Sequence, residues 1–270
     1  MSVVECKAQF KATFKKVCTI SVVALMVVWS GCGGGYSGGG GGGGYTNYAG
    51  QAQGVYSGTS SNGYNFESIV LPNDKIYAIY GTVSGNVFTV DGMVTGQGTS
   101  GNDTFTASSL TDFYYTGTVN TGSLTATDVP GSSINGTLTE SGTTPETFNG
   151  TAPPSSSFNY NTPASVSDIT GTWTGFLLEG TSTTVTINSN GSLSGSDSSG
   201  CSFTGTVTAD SSNKNFFDIS VTFGASPCGL PNQTATGIGV YSLLPDGVTH
   251  ELLAGVNAGT SYGTVFFAYR

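Results

Sequence analysis

Phe217-Asp218-Ile219-Ser220-Val221-Thr222-Phe223 is the stretch whose reading decides the fold. Apolar and polar side chains alternate along it without a break, which marks a strand with one face on a core and the other toward solvent. Thr183 to Ile187 alternates in the same way, and Ser189-Asn190-Gly191 separates it from Ser192-Leu193-Ser194. Asn-Gly readily adopts the positive φ angles of a tight hairpin turn. Similar punctuation stands at Asn62-Gly63, Ser84-Gly85-Asn86, Pro245-Asp246-Gly247 and Asn257-Ala258-Gly259. Turns about ten residues apart, with no helical stripe from Gly54 onward, predict an all-β chain of antiparallel meanders.

Working outward, two units emerge, each a β-barrel or a sandwich. Gly54-Val55-Tyr56-Ser57-Gly58 and Gly171-Thr172-Trp173-Thr174-Gly175 share a Gly-x-aromatic-small-Gly pattern, and each opens a long run of strands. A single large sandwich is the alternative. Between the runs, Thr151 to Asp168 is rich in Pro, Ser, Ala and Asn, the composition of a crossing segment. The units are drawn at 54–160 and 169–270, with a linker at 161–168. A second phrase, Ser133-Ile-Asn-Gly-Thr-Leu-Thr139, recurs as Ser202-Phe-Thr-Gly-Thr-Val-Thr208, but at a different distance from the opening motif. Strand starts in the second unit are expected near Gly171, Ser182, Ser192, Ser202, Asn215, Thr234, His250 and Tyr262. Eight strands suit an up-and-down barrel, which closes on itself and removes exposed edges.

Of 270 residues, 42 are Gly and only 9% are charged, against about 25% in ordinary soluble domains. The charge is uneven. Lys7, Lys11, Lys15 and Lys16 precede residue 20, whereas only Lys75, Lys214 and Arg270 are basic after Cys32. Three scattered cations build no phosphate-binding groove, so nucleic acid is not an expected partner. Attraction to an anionic membrane surface is equally disfavoured, and the acidity reads as solubility.

Residues 1–18 are polar and basic, and residues 19–29 form an uncharged apolar run. The run is short of the roughly 20 apolar residues that span a bilayer, and it fits the apolar region of a secretory signal. Ser30-Gly31-Cys32 follows. This resembles the lipobox of bacterial lipoproteins, in which two small residues precede a Cys that is lipidated and becomes the N-terminus. Trp29 stands where that family usually has Leu. The resemblance implies a signal peptide at 1–31 and a lipid on Cys32. With Gly33 in place of an inner-membrane retention Asp, it also implies attachment to an outer membrane, facing the periplasm or the surface. An ordinary signal peptide that leaves Cys32 a spare thiol is the alternative. Two or more acyl chains hold a protein firmly to a bilayer. Residues 33–44 are Gly except Tyr36 and Ser37, so 32–53 reads as a lipidated Cys and flexible tether, reaching on the order of 25 Å as a coil. A phosphate loop would need a Lys-Ser/Thr end and a strand-to-helix setting.

Gly171-Thr172-Trp173 also resembles the Gly-x-Trp on the first strand of lipocalins, where a basic residue of the last strand often packs on the Trp. That likeness implies a Trp173–Arg270 pair as a structural element. With the poly-Gly tether, the arrangement is similar to the small barrels of transferrin-binding-protein-type surface lipoproteins.

Few residues offer chemistry. Cys201 and Cys228 are the only cysteines after Cys32, and in an exported protein they read as a disulfide. A metal or nucleophilic role would have to recruit His250, the sole His. His250 and Glu251 are neighbours on a strand and point to opposite faces. No Gly-x-Ser-x-Gly elbow occurs. Asp197 and Asp210 match no calcium loop, and Asn135 and Asn149 read as turn and strand rather than as glycan acceptors. Tyr77, Tyr80, Tyr114 and Tyr115 could line a binding mouth or simply pack. The inventory predicts a lipid-anchored envelope protein without cofactor, metal or catalysis, binding an unidentified ligand or partner. A purely structural envelope role and a hydrolase acting through two facing carboxylates are the alternatives.

Overall fold

The computed structural model describes residues 50–84, 87–244 and 246–270. The signal peptide, Cys32 and most of the tether lie outside the described residues. Nine strands form the first unit: β1 Gly54–Ser60, β2 Asn65–Val70, β3 Lys75–Ser84, β4 Val87–Gln97, β5 Thr99–Gly101, β6 Thr104–Tyr114, β7 Val119–Val129, β8 Ser133–Glu140 and β9 Glu146–Thr151. A four-residue helix, α1 (Val166–Ile169), precedes eight more: β10 Gly171–Leu177, β11 Ser182–Ile187, β12 Ser192–Asp197, β13 Ser202–Ala209, β14 Phe217–Phe223, β15 Thr234–Leu243, β16 His250–Ala258 and β17 Tyr262–Tyr269.

Both units are closed barrels. In the first, β1 pairs with β9 and β4 with β6, so eight strands form a ring and short β5 rides beside β6. In the second, β10 pairs with β17 and every other strand with its sequence neighbour. All pairings are antiparallel. Of the expected strand starts, only that of β14 differs. Asn215 is held instead by the connector, its N–H donating to the Tyr160 carbonyl and its amide to that of Asn159.

The shared opening motif has one mechanical job in both barrels. Tyr56 and Trp173 are fully buried, and each donates a hydrogen bond to the carbonyl four residues back: Tyr56 Oη to Ala52 at 2.9 Å, Trp173 Nε1 to Ile169 at 2.8 Å. The closing glycine lets the last strand approach. A Cβ on Gly58 would sit 1.7 Å from the Asn149 carbonyl oxygen, and one on Gly175 2.1 Å from that of Phe267. The second phrase is not such a device. It falls on β8, the seventh strand of its ring, and on β13, the fourth of its own.

Alternation sorts each strand between two cores. Phe217, Val221 and Phe223 fill the second barrel with Trp173 and Phe266. The outward residues Ile238, Val265 and Phe267 instead meet Ile69, Ile79 and Met93 of the first barrel, burying a common seam. Phe158 and Tyr160 of the connector join that seam, and Tyr160 Oη donates to the Val70 carbonyl at 3.2 Å. Gly50–Gln53, at the end of the stretch read as tether, turns against the first barrel. Its Gly50 N–H donates to Asp74 Oδ1, and Ala52 is fully buried.

Candidate functional site

The two barrels differ in what their interiors hold. Around Trp173 the second is packed nearly solid, with about 90 Å³ left between apolar side chains. The first is solid only in its lower half, where Tyr56, Val70, Phe105 and Leu110 meet. Its upper half is a cup of about 280 Å³, near the small end of the range for ligand pockets.

The cup follows from small side chains at inward positions. Ser68 on β2 and Ala78 on β3 stand where the lower layer has Val70 and Ile76, so the opposing walls do not meet. Phe66 and Phe148, edge to face at 5.7 Å, line one wall, and Leu124, Ile134 and Leu138 the other. The mouth lies at the end carrying the β1–β2, β6–β7 and β8–β9 turns. Its rim is polar: Tyr64, Tyr80, Asp112, Tyr114, Asn120, Glu140 and Glu146.

Asp112 organises that rim. It is 3% exposed, and the Tyr80 hydroxyl lies 2.9 Å from both of its carboxyl oxygens. Asn120 and Glu140 also hydrogen-bond to it. Tyr80 is aimed by a glycine: a Cβ on Gly92 of the adjacent strand would sit 2.3 Å from the Tyr80 hydroxyl oxygen, so the ring lies flat over that position. Tyr64 packs edge-on against Tyr80 at 5.3 Å. Burial pushes the Asp112 carboxyl above its ordinary range, partly offset by its hydrogen bonds. Burial, and then the Asp112 and Glu146 charges, push Glu140 up to about 7. Desolvation and the neighbouring carboxylates also raise the Tyr80 phenol.

Of the four tyrosines read from sequence as a possible mouth, Tyr80 and Tyr114 line the cup. Tyr77 and Tyr115 face outward into the seam between the barrels. Sequence reasoning missed Asp112, Glu140 and Tyr64. The Cys201–Cys228 disulfide is formed, with an S–S distance of 2.02 Å. Arg270 lies 4.0 Å over the Trp173 ring and donates to the carbonyls of Thr170 and Asp168, tying the last strand to the end of α1. His250 stacks on Tyr241 at 5.0 Å, while Glu251 accepts from Ser242 on the other face, so the two form no dyad. Asp197 and Asp210 each accept from the backbone N–H two residues on and serve their own turns. Asn135 and Asn149 are register partners on β8 and β9. Among the described residues no group of three or more His, Cys, Asp or Glu is placed to hold a metal.

Asp112 and Glu140 are two neighbouring carboxyls at the mouth of the cup, but not in the arrangement of a glycoside hydrolase. They hydrogen-bond to each other, whereas that chemistry needs carboxyls about 5–9.5 Å apart with the scissile bond between them.

No protein-family model matches the sequence, and no curated protein matches it. Two solved structures are similar over much of the chain. One is the isotype 1 transferrin binding protein B from serogroup B Neisseria meningitidis, 11% identical, with a TM-score of 0.25. The match covers 77% of this chain and 66% of that one, just under two thirds of its length. The other is a protein with unknown function from the DUF3598 family of Nostoc punctiforme, 13% identical over 83% of this chain and 99% of that one, with a TM-score of 0.26. At such overlap neither likeness bears on role, which has to be argued from the site.

Proposed function

We propose that the chain is a lipid-anchored protein of the cell envelope, held at an outer membrane through Cys32, that binds a small ligand in its first barrel and does no chemistry on it. The observation that carries the binding half is the contrast between the barrels: one with only about 90 Å³ left among its apolar side chains, the other with an apolar-walled cup of about 280 Å³ open at a polar rim. A barrel kept only for stability gains by filling its interior, because each buried methylene contributes about 0.8 kcal/mol. Leaving the upper half of one barrel empty forgoes that gain. The anchoring half rests on Ser30-Gly31-Cys32 after the apolar run and on the Gly-rich stretch behind it.

The test uses the mature chain with Cys32→Ser, which keeps every described residue and avoids lipid or detergent. A neutral, environment-sensitive fluorophore, N-phenyl-1-naphthylamine, is expected to brighten on mixing at a one-to-one stoichiometry. Ala78→Phe, which fills the cup from its wall, should abolish that signal with the melting temperature kept. Unchanged binding by a folded Ala78→Phe protein would move the ligand site elsewhere.

A further inference from the structure

We infer that the cup is selective for a cationic amphiphile, an ammonium group on a short apolar body, with the ammonium seated at the rim between Asp112 and Glu140. This rests on the reading of the first barrel as a binding cup and adds the chemistry of the head group.

The apolar wall alone would suit a fatty acid or an alcohol equally well. The rim decides between them. Among the described residues three carboxyl side chains, Asp112, Glu140 and Glu146, line the cavity, and no basic residue does. The described cations are engaged elsewhere. Lys75 lies over the outward ring of Tyr77 at 4.6 Å, Lys214 donates to Asn161 of the connector, and Arg270 lies on Trp173 in the other barrel. A carboxylate ligand would add a further acidic group to a partly desolvated acidic site and be repelled. An ammonium brings the charge the rim lacks and N–H donors for carboxyl oxygens, and such charge-assisted bonds are the strong ones. The side chains of Tyr64, Tyr80 and Tyr114 stand around the same opening, and phenol oxygens there can accept further N–H bonds from an ammonium. Ser60 Oγ, from a residue that also lines the cup, is buried without a hydrogen-bond partner among the described residues, so the rim holds a further polar atom for a head group.

The site should report its own selectivity through pH. Glu140 faces Asp112 and Tyr114 from β6, Tyr80 from β3, Glu146 from β9 and Tyr64 from the β1–β2 turn. Every titratable neighbour is an acid or a phenol, so the proton that Glu140 holds up to about pH 7 substitutes for a missing cation. An arriving ammonium displaces that proton. Affinity for the cation must therefore rise from about pH 6 to pH 8 and level off above, while an alkylamine remains charged throughout.

The experiment measures displacement of N-phenyl-1-naphthylamine from the mature Cys32→Ser chain by octylamine, octanol and octanoate, matched in chain and differing in head. Octylamine is expected to compete best and octanoate worst. The octylamine affinity should rise about tenfold between pH 6 and pH 8. Glu140→Gln should cost octylamine about tenfold, flatten its pH profile and cost octanol less than it costs octylamine. Should Glu140→Gln fail to fold, calorimetry on the unmutated rim in two buffers of different ionisation enthalpy should find proton release on octylamine binding near pH 7. If neither the fluorophore nor any of the three binds, the cup reading itself falls. If octanol or octanoate competes as well as octylamine, or octylamine binding releases no proton, the cup stands and the selectivity for a cation is overturned.

Discussion

Trp173→Ala should cost the protein a large share of its stability, and the geometry says how much. The indole is 1% exposed, its Nε1–H donates to Ile169 at 2.8 Å, Tyr241 meets it edge-on at 6.1 Å, and the Arg270 guanidinium lies 4.0 Å above it. Emptying a site of this size costs about 3–5 kcal/mol. The freed Ile169 carbonyl and the lost guanidinium stacking each add about 1 kcal/mol, the latter at the exposed end of its range. Against a typical total of about 5–15 kcal/mol this is severe. Urea unfolding followed by circular dichroism should show the midpoint falling by on the order of 2 M. Trp173→Phe keeps the ring but not the N–H donor and should fall between the two. Trp173 is also the only Trp after Trp29, so in a chain that begins at residue 32 native emission should be blue-shifted and move red on unfolding. A midpoint shift below about 0.5 M, together with native emission like that of free Trp in water, would refute the packing role.

Three other outcomes follow from the same structure. Metabolic labelling with a fatty-acid analogue should mark the wild-type chain and not Cys32→Ser; equal labelling would leave Cys32 a spare thiol. Replacing both Cys201 and Cys228 by Ala opens a loop spanning 27 residues and should destabilise by about 3.5 kcal/mol in the chain-entropy picture; an unchanged unfolding midpoint would contradict it. Asp128 is 2% exposed, and neither carboxyl oxygen has a hydrogen-bond partner among the described residues; burial, with Asp103 and Asp74 nearby, pushes its pKa up. The folded state then holds that proton more tightly than the unfolded one, so stability is greatest below about pH 4 and declines as pH rises through the raised folded value. Asp128→Asn should flatten that decline in a pH series of melts, and a loss above about 1 kcal/mol at pH 7 would instead show that the carboxylate has a favourable partner in solution.

The architecture was legible because hairpin barrels are local objects. Each strand of the second barrel pairs with the next along the chain, and the connections carry Asn and Gly for φ angles that other residues avoid, as at Asn213 and Gly191. The Gly-x-aromatic-small-Gly phrase was legible too, since a large ring flanked by glycines fits few places other than the start of a closed ring. Closure of the first barrel was not. It depends on β4 pairing with β6 past the short β5, with Gly98 at the bend, and nothing in the alternation marks which strand turns the corner. The cup was hidden for a related reason. Tyr80, Asp112 and Glu140 come from β3, β6 and β8, and only the register brings them together.

One irregularity decides most of the site. Along β6, Phe105 and Ala107 point inward, Ser108 and Ser109 are both exposed, and the inward set resumes at Leu110 and Asp112. The register shifts between Ala107 and Leu110, where one extra residue bulges out. A strand in strict alternation would have carried the inward face through Ser109, Thr111 and Phe113. Asp112 would then have faced the seam, and Phe113 the cup. The bulge reverses both at once. It turns a carboxyl into the barrel, where Tyr80 and Glu140 meet it, and turns Phe113 out onto the second barrel, where it packs against Gly263 in the shared seam. The polar rim and the docking of the two barrels thus depend on the same added residue, and neither can be read from the period-two pattern that identifies the strand.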